Sequence, residues 1–284
     1  MAHNLSGIIR ILDNLAPPFL AEEWDNCGLQ LGNPAWPVTK IWVALDPTLQ
    51  VVEAACAQKV DLLITHHPLI FKPLKSIEFQ TPLGTVINMA TRHNLAIFAA
   101  HTNLDSTVGG LNDILARRLG LKDLKPLVPP EAGGEIKQFK DDVDLLIPRE
   151  CTPGMGRVGH LGKTMDLKSL ARAIKKKMGL KIIKFAGDPH LSIKKAAVCT
   201  GSGSSLLGSF FDSGAQVYIS GDMRYHDARD VEAANLGIID IGHFSSECFV
   251  AEDLAARLST IFEKSGIEVG VEACDIEKDP FEVL

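Results

Sequence analysis

Apolar residues recur along this chain with two different periods. Leu5, Ile8, Ile9, Ile11, Leu12 and Leu15 fall at helical spacing and stop before Pro17-Pro18, which predicts an amphipathic helix. Residues 41–45, 61–65 and 95–100 are short apolar runs of strand length, and 49–59, 82–93 and 111–119 carry helical patterns between and after them. Strands alternating with helices predict an α/β fold with parallel pairing and crossover helices.

The rhythm is lost over 122–149, where Pro126, Pro129, Pro130, Gly133 and Gly134 cluster. Two α/β domains with mostly parallel sheets are therefore expected. One takes residues 1–125 plus 243–284 and the other 126–242. Beyond residue 149, helices are expected at 166–178, 204–211, 227–235 and 247–264. Strands are expected at 181–185, 196–200, 216–220, 238–241 and 267–271. No internal repeat or low-complexity segment interrupts them.

Composition narrows the function. The chain has 284 residues, 46% hydrophobic and 23% charged, with a formal net charge of −6. That balance suits an ordinary globular protein and speaks against a broad nucleic-acid footprint. No apolar run nears the ~18 residues of a membrane span, and Asp13 and Asn14 break the N-terminal apolar stretch, so neither a span nor a secretory signal is expected. Cysteines at 27, 56, 151, 199, 248 and 274 show no C-x₂-C or C-x₄-C spacing. Reduced, mostly buried thiols in a cytoplasmic protein are the simplest reading, and any metal would be held by nitrogen and oxygen.

The candidate chemistry lies where strands end. The 61–65 run meets His66-His67-Pro68, the 95–100 run meets His101-Thr102-Asn103-Leu104-Asp105, and the 238–241 run meets Gly242-His243-Phe244-Ser245-Ser246-Glu247. Ligands collect beyond the carboxyl ends of parallel strands, so these clusters are expected to converge on one site. Singly, each has a structural explanation. His101 could bond backbone, Asp105 could cap a loop, and Ser245 and Glu247 could cap and complement a helix. Together, His66, His67, Asp105, His243 and Glu247 offer three imidazoles and two carboxylates, more than one ion needs. Two divalent cations against two carboxylates leave a positive site that would attract hydroxide and a small anionic or nucleotide-like substrate. The donors suit zinc, manganese or iron and do not choose among them.

Five segments in order carry a family resemblance: Trp24-Asp25-Asn26-x-Gly28-Leu29, Thr65-His66-His67-Pro68-Leu69-Ile70-Phe71, His101-Thr102-Asn103-Leu104-Asp105, Ser220-Gly221-Asp222-x-x-x-His226 and Gly242-His243-x-x-x-Glu247. Together they resemble the Nif-three-like family, also called the GTP cyclohydrolase 1 type 2 homologs. The resemblance implies a two-domain α/β subunit, a dinuclear metal site held by His66, His67, Asp105, His243 and Glu247 with Glu247 bridging, and a toroidal homohexamer. His101 and His226 are implied as neighbours that move protons. Some longer relatives carry an inserted middle domain, which is expected to be missing here. The expected activity is metal-dependent hydrolysis, either GTP cyclohydrolase type 2-like or on a phosphoester or nucleotide. The nucleophile would be a metal-bridging hydroxide from water whose pKa is lowered to about 7. The rival is a non-catalytic hexameric scaffold, metal-delivery or interaction protein.

Three other features are read more plainly. Gly201-Ser202-Gly203-Ser204-Ser205 is either a phosphate cradle or a tight turn. Trp24 is either pocket wall or core. Lys175-Lys176-Lys177 is a solvated helix face.

Overall fold

The computed structural model of the chain describes residues 3–130 and 152–283. They fall into two compact units. The first holds residues 3–104 and 248–278, and the second holds 105–130, 152–247 and the tail 279–283. The chain thus leaves the first unit at Leu104–Asp105 and returns to it at Glu247–Cys248.

The first unit is built on a five-stranded sheet. Its spatial order is Gly270–Ala273, Lys40–Ala44, Leu62–Thr65, Ala96–Ala99 and Gly28–Leu31. The first four strands are parallel and the last antiparallel. Leu62 to Thr65 and Ala96 to Ala99 are all buried, as expected of strands covered on both faces. Helices Leu49–Ala57 and Pro82–Arg92 contribute Val51, Val52, Ala55, Val86 and Ala90 to a cluster that also holds Leu63 and Ile97. Thr48 and Thr81 start these helices by accepting from Val51 N and Gly84 N. Helix Val250–Ser265 packs on the Lys40–Ala44 and Gly270–Ala273 strands and buries Leu254, Leu258 and Phe262.

The register fixes which side chains emerge together. Ala44 pairs with Thr65, and Thr65 with Ala99. Asp46, His67 and His101 each lie two residues beyond these partners, so they leave the sheet at the same edge.

The second unit has a six-stranded sheet. Its order is Leu121–Val128, Met155–Asp166, Ser192–Ser202, Val217–Gly221, Gly237–Asp240 and Lys184–Ala186. The 192–202, 217–221 and 237–240 strands are mutually parallel, and antiparallel strands flank them on both sides. Parallel pairs therefore form the heart of both sheets. Tyr218 stacks on Phe210 at 5.2 Å inside this unit's core.

Two readings from the sequence change here. The stretch from 122 that looked irregular begins with a strand, Leu121–Val128, paired to the unanticipated Met155–Asp166 strand. Residues 131–149 of that stretch, and Cys151, lie outside the described residues. Helix Leu111–Leu119, expected with the first domain, packs on the 121–128, 155–166 and 192–202 strands and so belongs to the second unit.

That helix also carries half of a buried ion pair. Arg157, 1% exposed, grips Asp113 through Nε–Oδ1 at 2.7 Å and Nη2–Oδ2 at 2.9 Å. Its remaining N–H groups donate to the Gly154, Gly156 and Thr107 carbonyls, which closes the fork. Among the described residues, no helix is long and apolar enough to cross a membrane.

Candidate metal centre

In the first unit, His66, His67 and His101 can each offer one ring nitrogen within 4.8 Å of the others. Their ring centroids lie 5.1 to 5.5 Å apart. What aims them is the hydrogen bond at each Nδ1. His66 Nδ1 lies 2.8 Å from the Ala100 carbonyl, His67 Nδ1 2.8 Å from Asp46 Oδ1, and His101 Nδ1 2.9 Å from Asp25 Oδ1. A carbonyl or carboxylate oxygen can only accept, so each Nδ1 carries the proton. In the neutral ring, the lone pair then belongs to Nε2. Metal-binding histidines typically use this arrangement, since the outer bond fixes the tautomer and makes the ligating nitrogen more basic.

The anchors are themselves held. Asp46 N and Leu45 N donate to Glu277, at 2.7 Å each. Asp25, its side chain shut off from solvent, accepts from Thr102 N, Thr102 Oγ1 and Cys27 Sγ as well as His101. Burial by itself would raise the Asp25 carboxyl, but the hydrogen bonds from His101, Thr102 and Cys27 outweigh it and hold it well below the usual carboxylate range.

In the second unit, the same logic recurs. His243 Nδ1 lies 2.7 Å from Asp222 Oδ2, and Nε2 faces Glu247 Oε2 at 3.0 Å, close enough to share one proton or one cation. Helix His243–Glu247 puts these two side chains on one face at i, i+4. Ser246 between them donates to the His243 carbonyl and accepts from Gly201 N. Asp105 is 6% exposed and Glu247 3%. Asp105 Oδ1 accepts from Thr200 Oγ1 at 2.8 Å, and Asn112 ties the Thr200 amide to the Asp105 carbonyl. Burial pushes the Cys199 thiol far up, and the charges of Asp105 and Glu247 add to it. Two carboxylates this buried are costly unless cations meet them.

The absence of a side chain at Gly201 is explained by this site. Its φ is +61°, and a Cβ there would lie 2.4 Å from Glu247 Oε1 and 3.4 Å from His243 Nε2. Its amide is taken by Ser246, and a Cβ on Gly203 would strike the Tyr218 hydroxyl at 2.3 Å. In the Gly/Ser segment, Gly201 and Ser202 end the Ser192–Ser202 strand, the 3-10 helix Ser204–Leu206 follows, and Gly201 makes room for Glu247. Trp24 is 58% exposed, so it is not core. Lys176 and Lys177 are exposed on helix Leu167–Lys177, whose buried face is Leu167, Leu170, Ala171 and Ile174.

His226 stands apart. It is exposed on helix Tyr225–Ala233 with its ring edge-on to Tyr225 at 5.4 Å, and it joins no candidate metal cluster among the described residues. Sequence reasoning did not assign the anchors Asp25, Asp46 and Asp222, although two of them stand inside the quoted motifs and Asp46 follows a strand end. The described cysteines 27, 56, 199 and 274 are in no disulfide.

The class the fold and site define is an α/β protein with histidines and carboxylates at strand ends, each imidazole held through Nδ1, in groups that could hold a metal ion. Comparison with known proteins gives the family: the chain belongs to the Duf34/NIF3 (NGG1p interacting factor 3) family, whose model matches residues 3–280. It is 36% identical over 284 residues to a Clostridium perfringens protein named GTP cyclohydrolase 1 type 2 homolog, covering 99% of each chain. A Bacillus subtilis protein of the same name is 28% identical with full coverage of both chains, but the alignment runs over 374 positions, so that relative carries segments this chain lacks. Among solved structures, a Bacillus cereus protein related to NIF3 superposes with a TM-score of 0.87 at 27% identity, covering 100% of this chain and 99% of the other.

Proposed function

We propose that the protein is a metal-dependent hydrolase whose two divalent ions would be held by His66, His67, Asp105, His243 and Glu247. The observation that carries this reading is the shared anchoring of the imidazoles. His66, His67 and His243 each spend Nδ1 on a carbonyl or carboxylate, which presents Nε2 for ligation. The donor set fits zinc, iron or manganese, since imidazole and carboxylate suit all three and no thiolate takes part.

When bound, such ions supply an activated water and polarise the attacked centre. The chain's own residues do the rest. Asp46 and Asp222 keep His67 and His243 in the ligating tautomer, and the Ala100 carbonyl does so for His66. Asp25 keeps the His101 proton on Nδ1, so His101 Nε2 is the atom that takes a proton and later returns it. The relatives' name, GTP cyclohydrolase 1 type 2 homolog, places GTP ring opening among the reactions to test, beside phosphoester and nucleotide hydrolysis. A cytoplasmic location, consistent with the free thiols, and a toroidal homohexamer complete the reading.

The test is elemental analysis of protein purified without chelator, with a panel of phosphatase, nucleotidase and cyclohydrolase substrates. About two ions per chain, with turnover lost in His67→Ala, Glu247→Gln and His101→Ala, is the expected result. Two ions with no turnover on any substrate would favour a scaffold or metal-delivery role. Fewer than one ion per chain would end the reading.

A further inference from the structure

We propose that the exposed face of Trp24, buttressed by Phe71, is a stacking platform for the planar heterocyclic ring of the ligand on which the histidine cluster acts. Large aromatic side chains are ordinarily well covered, yet Trp24 is 58% and Phe71 48% exposed. Their rings meet at 5.7 Å with a 59° tilt, so no slot lies between them, and the open surface is the outer face. Trp24 stands edge-on to His101 at 6.1 Å, so a ring laid on it lies beside the histidine cluster.

The platform is rigidly held, which an incidental surface patch has no need to be. Asn26 Nδ2 donates to the Ile70 carbonyl at 2.6 Å and to Gln30 Oε1 at 3.1 Å. Gln30 Oε1 accepts from Ile70 N as well, and Gln30 Nε2 donates back to the Asn26 carbonyl. These bonds lash the segment before Phe71 to the segment after Trp24. Between them, Asp25 anchors His101. Trp24, Asp25 and Asn26 thus serve, in sequence, as ring surface, histidine anchor and loop tie.

Charge does not explain the patch. Lys72 and Lys75 beyond Phe71 are matched by Glu22 and Glu23 before Trp24, all exposed. A neutral, ring-sized aromatic surface selects for a π-face, which every purine or similar heterocycle offers. This inference rests on the hydrolytic reading above and narrows its substrate to a ring-bearing one.

The experiment follows indole emission in a Trp36→Phe/Trp42→Phe background, which leaves Trp24 as reporter because the chain has three tryptophans. GMP, guanosine and ribose 5-phosphate are titrated into metal-loaded and chelator-stripped protein, with metal content measured in parallel. Saturable quenching by GMP and guanosine, and none by ribose 5-phosphate, is expected. In the otherwise native chain, calorimetry should show Trp24→Ala binding GMP about 5- to 150-fold more weakly, with Trp24→Phe restoring most of the loss. Equal binding of ribose 5-phosphate, unchanged GMP affinity in Trp24→Ala, or a changed sedimentation coefficient in that variant would each overturn the platform. Full metal content without quenching overturns the platform alone. Quenching in protein that never holds metal overturns the hydrolytic reading and leaves the platform standing.

Discussion

Replacing Gly201 with alanine tests whether the buried carboxylate of Glu247 is a ligand. Two costs arise and can be separated. The backbone at Gly201 has φ +61°, where a Cβ costs about 1–2 kcal/mol. The new methyl also lands 2.4 Å from Glu247 Oε1, whereas ordinary contact begins at 3.4 Å. The carboxylate must therefore withdraw by roughly 1 Å, a misplacement worth about a hundredfold where geometry matters. Gly179→Ala supplies the control, with φ +67° and nothing within 4 Å of the added Cβ. Both variants should lose similar stability in urea unfolding of the metal-stripped protein. Competition with a chromophoric chelator should then show metal affinity falling about 10- to 100-fold in Gly201→Ala and hardly at all in Gly179→Ala. Equal affinities in the two variants would refute the reasoning, because Glu247 would then move without consequence.

Other outcomes follow from the same contacts. Arg157→Met leaves Asp113 as an uncompensated buried charge, so urea unfolding should show a loss of about 3–5 kcal/mol, and Arg157→Lys, lacking the two-pronged fork, should restore only part of it. The Asp25 carboxyl sits below its ordinary pKa of about 3.9, so its contribution to stability is complete above that value and is lost as pH falls beneath it. The slope of the urea midpoint below about pH 4 should therefore flatten in Asp25→Asn; an unaltered slope would contradict the assignment. Burial pushes the Cys27 thiol up to about 11, with its bond to Asp25 adding. Its thiolate fraction at pH 8 is then roughly one in a thousand, and peptide mass spectrometry should show iodoacetamide modifying it far more slowly than free cysteine.

Much of the candidate site was legible in the sequence because strand ends announce themselves. An apolar run of strand length that stops at a histidine is readable from residue types alone, and His66, His67, His101 and His243 all stand in such places. Helix Leu111–Leu119 was found to the residue, since its apolar spacing is regular and Gly120 closes it at φ +89°. The Met155–Asp166 strand was not found. Gly156, Gly159 and Gly162 interrupt it, and glycine weakens any strand pattern. The reason for Gly159 is a neighbour distant in sequence: a Cβ there would meet the Lys122 carbonyl at 2.7 Å. Arg157 in the same strand reads as a surface residue until Asp113 is seen beside it. The aspartates that aim the imidazoles were hidden for a similar reason. Asp25 precedes His101 by 76 positions and Asp222 precedes His243 by 21, and only the folded chain pairs them.

The most direct measurement is anomalous diffraction from crystals of protein purified without chelator, collected on either side of the zinc, iron and manganese absorption edges. Two peaks per chain are expected, bonded by Nε2 of His66, His67 and His243 and by the carboxylates of Asp105 and Glu247. Maps with no peak at these side chains, or with metal on an Nδ1 nitrogen, would contradict the dinuclear centre.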